Sequence, residues 1–276
     1  MTLQVAAPGR RQMGTVKIRQ NITHMSAAEV TRFRNAIKEM IARNDNRGFQ
    51  YFAGWHGVPL GICEHHNPLF LPWHRGYLYD FEMALQEIDS DVTLPWWDWM
   101  NEPGIPAAYN DKTAEGKANP LASAPIKPMG VPKQPGWPTK TRRDPGGHPP
   151  GQPSAVPPPL GNFYNRLMKS SSYTEFRTSL AELHDNIHVW VGGNGGQMRD
   201  PSWAAFDPLF WAHHAMVDRL WRIWQHEPQG EDPDHATMET PLTFAKGPPL
   251  RVRDVLKVTQ LGYEYAAQSS TVAGTA

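Results

Sequence analysis

Two groups of three histidines carry residue types and spacings that could hold metal. In Glu182-Leu183-His184-Asp185-Asn186-Ile187-His188-Val189-Trp190, His184 and His188 are four residues apart. On a helix their rings lie about 40° apart around the axis and about 6 Å along it, so both can meet one ion. Further on, His213 and His214 lie in an apolar, aromatic-rich segment from Phe210 to Trp221, where an imidazole buried without a partner is costly. At least one of the two needs a partner, and the one facing away from an ion is expected to bond a backbone carbonyl. The first group is His56, His65 and His74. His74 heads an apolar helix stripe, while His56 and His65 sit at a helix end and in a Gly/Pro-broken loop that can fold back onto it. Triads of neutral imidazole without a carboxylate or thiolate pair suit copper in either oxidation state, with zinc left open. A catalytic zinc site would need one triad, and two triads imply a pair of metals acting together.

The elements that must position these groups are helical. Ser26-Ala27-Ala28-Glu29 reads as a capping box, followed by Val30, Phe33, Ile37, Met40 and Ile41 at helical spacing. A second helix runs from after Gly48 to Trp55-His56. A third is predicted to begin at Pro72, with His74, Leu78, Phe81, Leu85 and Ile88 on one stripe. Leu180, His184, Ile187 and His188 share a face of a fourth, and Asp207-Pro208 caps the last, which runs through His214, Val217, Leu220, Trp221 and Trp224. No alternating β run exceeds a few residues. The expected fold is mainly α: an antiparallel four-helix bundle core with a long irregular proline-rich loop. Thirteen of the 27 prolines fall between Pro120 and Pro159, in a stretch unsuited to helix or central strand. This insertion, about 102–160, resembles an interdomain linker in composition. Each flank, however, carries half of one set of ligands, so the expectation is a single domain over 1–276 with a core of about 16–266.

Composition removes several function classes. Lys+Arg and Asp+Glu are 27 each in 276 residues, which leaves no charge excess for nucleic acid or an anionic membrane. No run approaches the roughly 18 apolar residues of a membrane span, and the first residues lack the apolar stretch of a secretory signal. The expectations are no nucleic acid, no membrane and a cytoplasmic protein, with export by a partner left open. Cys63 is the one cysteine, so no internal disulfide or multi-cysteine metal site can form.

The segments FLPWHRGYLYDFEMAL and VTLPWWDW, then LHDNIHVWVGG, then AAFDPLFWAHHAMVDRLW, in that order, resemble the central domain of tyrosinases, catechol oxidases and related type-3 copper proteins. That resemblance covers about residues 16–266 apart from the proline-rich middle. It implies two copper ions, one held by His56, His65 and His74 and the other by His184, His188 and His214, with His213 structural and O2 as co-substrate. His65 is chosen over His66 because the family's second and third ligands are commonly nine apart. It further implies that Gly262-Tyr263-Glu264-Tyr265 is the paired-tyrosine element closing the core, with Arg19 as its partner. About ten residues follow that element, from which a C-terminal shielding domain is expected to be absent. A thioether between Cys63 and His65 accompanies this spacing in fungal and plant relatives; the other reading of Cys63 is a buried thiol.

Around these ligands, Phe210 is expected to cover the second copper. Asp218 receives a ligand N–H, pairs with an arginine, or lies on the helix surface. Trp96, Trp97 and Trp99 read as core. Two positions depart from the family pattern for monophenol hydroxylation: Asp185 stands where several tyrosinases have Asn, and Ala181 where a water-holding Glu is often found, with Glu182 one residue on. Asp185 and Glu182 are the candidate bases. The resemblance therefore implies oxidation of small ortho-diphenols or ortho-aminophenols, with weaker hydroxylation of monophenols. A tyrosinase proper, and a reversible O2 carrier of the hemocyanin kind, are the alternatives. A copper-delivery protein is a further expected partner.

Overall fold

The computed structural model describes residues 15–102, 104–146, 161–244 and 250–267. A short strand β1 (Lys17–Arg19) precedes α1 (Ala27–Ala42), α2 (Phe49–His56), α3 (Phe70–Gln86) and the single turn α4 (Ala107–Asn110). A two-residue hairpin follows, β2 (Thr113–Ala114) with β3 (Lys117–Ala118), and then α5 (Gly161–Met168), α6 (Tyr173–Gly192) and α7 (Pro208–Trp224). After α7 come α8 (His235–Met238), β4 (Pro241–Leu242), β5 (Leu250–Arg251), α9 (Val252–Val255) and β6 (Tyr263–Tyr265). The molecule is mainly helical, and the bundle of α2, α3, α6 and α7 forms the expected core.

Local chemistry explains where these helices start and stop. Ser26 and Glu29 form the capping box of α1, each side chain taking a backbone N–H of the other. Asp207 caps α7 by accepting from Leu209 N, with Pro208 in the first turn where no donor is needed. α3 begins two residues earlier than predicted, at Phe70, because Asn67 closes the turn ahead of it: its carbonyl accepts from Phe70 N and its Oδ1 from Leu69 N. Pro72 still falls inside the first turn, so its missing N–H costs nothing there. Ile88 lies past the end of the helix.

The proline-rich segment is docked at several of its described residues. Gln50 on α2 takes Lys127 N and donates to Pro125 O. Asp144 N and Gly146 N donate to Val191 O and Trp190 O at the end of α6. Arg143 reaches Asp207 at the start of α7 while donating to the carbonyls of Tyr109 and Leu121. The single turn α4 and the hairpin β2–β3 are more order than the composition suggests. The run from Gly147 to Leu160, with six of the prolines, lies outside the described residues.

β1 and β6 pair in parallel, Arg19 opposite Tyr265. This brings the residue before the core and the paired tyrosines together. Arg19 is fully buried, its guanidinium 3.5 Å from the Tyr263 ring centroid and 2.9 Å from Tyr265 OH.

Candidate metal centre

α2 presents His56 at its last position, α3 presents His74 one turn in, α6 presents His184 and His188, and α7 presents His214. His65 comes from the loop between α2 and α3. Rings of the first group lie 5.1 Å (His56–His65), 5.2 Å (His65–His74) and 5.7 Å (His56–His74) apart. Those of the second group lie 4.5 Å (His184–His188), 4.7 Å (His184–His214) and 5.4 Å (His188–His214) apart. The groups abut, His74 stacking on His214 at 4.4 Å. Residues from both sides of the proline-rich segment thus meet at one place.

The ring nitrogens settle which atoms face inward. His56 Nδ1 meets Pro201 O at 3.2 Å, His74 Nδ1 meets Phe70 O at 2.8 Å, and His188 Nδ1 meets Met198 O at 2.7 Å. A carbonyl only accepts, so each Nδ1 carries the proton and each Nε2 keeps its lone pair. His184 Nδ1 lies 3.0 Å from Asp185 Oδ1, to the same effect. Nε2 of His56 and of His74 is buried with no protein partner. His184 Nε2 and His188 Nε2 each lie 3.2 Å from His214 Nε2. Converging lone pairs in a buried site repel one another unless a proton or a metal cation lies between them, and a cation satisfies several of them at once. The donor set therefore fits copper.

Donors within 4.8 Å of one another divide somewhat differently from the expected triads: His184, His188, His213 and His214 form one group, His56, Cys63 and His65 a second, and His56, His74 and His214 a third that joins the two sides. His213 corrects the sequence reading. It was expected to bond a backbone carbonyl, but both its nitrogens are buried without a partner, and its ring stacks on His184 at 5.1 Å with Trp99 at 5.8 Å. His74 reaches the carbonyl four residues back in its own helix, but the His213 ring turns instead toward the rings of α6.

Glu182 is also corrected. It is exposed and takes no part in the lining of the cleft, because one residue on from Ala181 turns a side chain about 100° around the helix. Asp185 does line the cleft, held between His184 and His66, whose Nε2 is 3.2 Å from Asp185 Oδ2. His65 faces the other rings, while His66 is exposed. Phe210 reaches further than expected, lying 4.1 Å from His214 and 4.7 Å from His56, so it touches both groups. Asp218 is buried and pairs with Arg75 and Arg19. Trp96, Trp97 and Trp99 are core. The orienting carbonyls of Met198 and Pro201 were missed, since a backbone acceptor has no signature in residue type.

The cleft over these histidines has a volume of about 370 Å³ and is walled by Val189, Met198, Pro201 and Ala204 beside the rings. Burial pushes the imidazoles of His56, His74, His184 and His214 well below their ordinary pKa, and those of His65 and His188 down to about 4. They are neutral at pH 7, as ligands must be. Burial, reinforced by Glu64, raises the Cys63 thiol to about 11. Acid sensitivity follows from the two values near 4. Between pH 6.5 and 4 the unfolded chain takes up protons that the folded one refuses, so stability present above pH 6.5 is lost as pH falls. Each of the two contributes up to roughly 1.4 kcal/mol per pH unit. Urea midpoints of the metal-free protein should be level from pH 8 to 7 and fall steeply from 6 to 4.5; a flat profile would show these rings to be protonated in the folded state.

Residues 46–227 match the family model of the common central domain of tyrosinase. The tyrosinase of Streptomyces glaucescens is 30% identical over 242 residues, 77% of this chain and 84% of that protein. Hemocyanin units G and H of Sepia officinalis are 28% identical over 227 residues, 75% of this chain, which spans 37% of that protein's length. In fold, the structure of the tyrosinase from Burkholderia thailandensis at high pH superimposes with a TM-score of 0.74 at 23% identity, covering 93% of this chain and 74% of that one.

Proposed function

The chain belongs to the tyrosinase family of type-3 copper proteins, and on that premise we propose that it oxidises small ortho-diphenols or ortho-aminophenols with O2 as co-substrate. The observation that carries this reading is the convergence of neutral, buried imidazoles below an open, mostly apolar cleft. Two copper ions bound there, one by His56, His65 and His74 and one by His184, His188 and His214, would supply the redox chemistry. Two diphenols and one O2 then give two quinones and two waters. The chain itself fixes the ring tautomers through Pro201, Phe70, Met198 and Asp185, and Phe210 keeps water from the inner side of the rings. The thioether between Cys63 and His65 belongs to the same proposal, supported by their shared donor group; its C–S bond replaces the Cys63 S–H and one ring C–H of His65, the two hydrogens and two electrons going to the co-substrate O2. The reading of residues 1–276 as a single domain belongs to it too.

Selectivity rests on Asp185. It is the one acidic side chain lining the cleft among the described residues, and both its oxygens face histidines. A monophenol, with a pKa near 10, must lose its proton to be hydroxylated, and no unengaged carboxylate stands ready to take it. Copper-loaded protein should therefore consume O2 rapidly with catechol and ortho-aminophenol. Turnover on tyrosine should be roughly 10²-fold slower or show a lag, the size of effect a positioned base supplies. Asp185→Asn alone should not restore hydroxylation. Comparable, lag-free rates on matched mono- and diphenols would mean that Asp185 is the base. The hemocyanin likeness favours O2 carriage as a second reading; reversible O2 binding without catechol turnover would establish it.

A further inference from the structure

We infer that Arg199 selects for phenolic substrates that carry a carboxylate, an inference that rests on the oxidase reading above and names its substrate class. Among the described residues lining the cleft, Arg199 is the one lysine or arginine. It is exposed, and among the described residues the one acceptor it meets is the carbonyl of Gly193, through Nη1. It forms no ion pair with a carboxylate among the described residues. The rest of its planar donor edge is available to a ligand.

Its place on the backbone makes this more than a stray surface cation. Arg199 stands between Met198, whose carbonyl orients His188, and Pro201, whose carbonyl orients His56. One short segment thus positions a histidine from each group and carries the arginine. That segment is pressed onto the end of α6: a Cβ on Gly192 would come within 2.6 Å of Arg199 Cβ and 2.5 Å of its N. The backbone and Cβ of Arg199 are therefore fixed relative to the rings, and Nη1 is tied to Gly193 O. An aromatic ring entering between Val189, Met198, Pro201 and Ala204 has the histidines at its inner end and the guanidinium on its wall.

The sign and number of charges narrow the class further. Asp185, the acidic group in the cleft, is engaged by His184 and His66, and Asp200 accepts from Ser202 N. An ammonium group on the substrate finds no free carboxylate, whereas a carboxylate finds a guanidinium with open donors. A ring-bound carboxylate suits the site better than an amino-acid side arm.

The test compares 3,4-dihydroxybenzoate with the neutral, similarly sized 4-methylcatechol on copper-loaded wild type, Arg199→Gln and Arg199→Lys. The ratio of kcat/KM for the two substrates should fall about tenfold or more in Arg199→Gln, through KM, as expected for losing one charge-assisted hydrogen bond. The lysine variant should recover part of it. In parallel, calorimetric titration with benzoate should show affinity weakened by a similar factor in Arg199→Gln, and an affinity in wild type that falls with added salt. A ratio and a benzoate affinity both unchanged by Arg199→Gln overturn the inference. Wild type that oxidises neither catechol would instead refute the oxidase reading, and the benzoate titration would still decide the role of Arg199.

Discussion

Replacing His188 by alanine should lower bound copper from two ions per chain to one and reduce catechol oxidation by a factor on the order of 10³ or more. His188 Nε2 is one of three nitrogens converging on the second position, 3.2 Å from His214 Nε2, and its Nδ1–H is spent on Met198 O. Removing the ring leaves two imidazoles there, with His213 beside them. Groups that act as a unit lose nearly all their effect when one is deleted, and a two-electron oxidation shared by two metals is such a unit. The first group shares no hydrogen bond with His188, so its copper should remain. Elemental analysis gives the stoichiometry and O2 uptake the rate. Two coppers retained in His188→Ala would show that His213 takes over as a ligand; a single zinc and no copper in active wild type would remove the dicopper assignment altogether.

The helices were legible because each has a local signal: the Ser26–Glu29 box, the Asp207-Pro208 cap, and the four-residue spacing of His184 and His188. The choice of His214 and His65 came from the family resemblance, and His65 does face the other rings while His66 is exposed and engages Asp185 at the cleft. What the sequence hid depends on contacts distant along the chain. Met198 and Pro201 act through carbonyls that any residue possesses, and only the folded path of the segment after α6 brings them to His188 and His56. Asp218 illustrates the same limit. Its spacing from His214 put it one turn along α7, but whether that turn faced water or the core depended on Arg19 and Tyr265, 199 and 47 residues away in sequence. Glu182 stands off the cleft for a reason visible in the helix period itself, since one residue on from Ala181 is a different face.

Asp218→Ala should cost about 3–5 kcal/mol of stability, the usual range for breaking a buried ion pair from one side. The carboxylate is 3% exposed and accepts from Arg75 Nε, from Tyr263 OH and Tyr265 OH at 2.6 Å each, and from Arg19 Nη1 at 3.4 Å. Burial by itself would raise its pKa, yet Arg75, Arg19 and the two tyrosine hydroxyls hold it below the ordinary value. Without it, Arg19 keeps Glu82, whose Oε2 lies 2.6 Å from Nη2. Among the described residues Arg75 keeps the carbonyls of Leu256 and Val255, Gln225 and the face of Trp221, so its charge is left buried without a counter-ion. The consequence should extend to the metal centre. Arg75 follows His74 on α3, and Asp218 is one turn beyond His214 on α7, so their bond holds together the two helices whose histidines stack at 4.4 Å. Copper affinity should therefore weaken along with the thermal transition, and Asp218→Asn, which keeps acceptors for the tyrosines, should fall between alanine and wild type. Calorimetry of the copper-loaded variants reads both effects, and a single transition throughout would support one cooperative domain. An Asp218→Ala protein that melts within about 1 kcal/mol of wild type would mean that water reaches Arg75 and that this network is not closed to solvent.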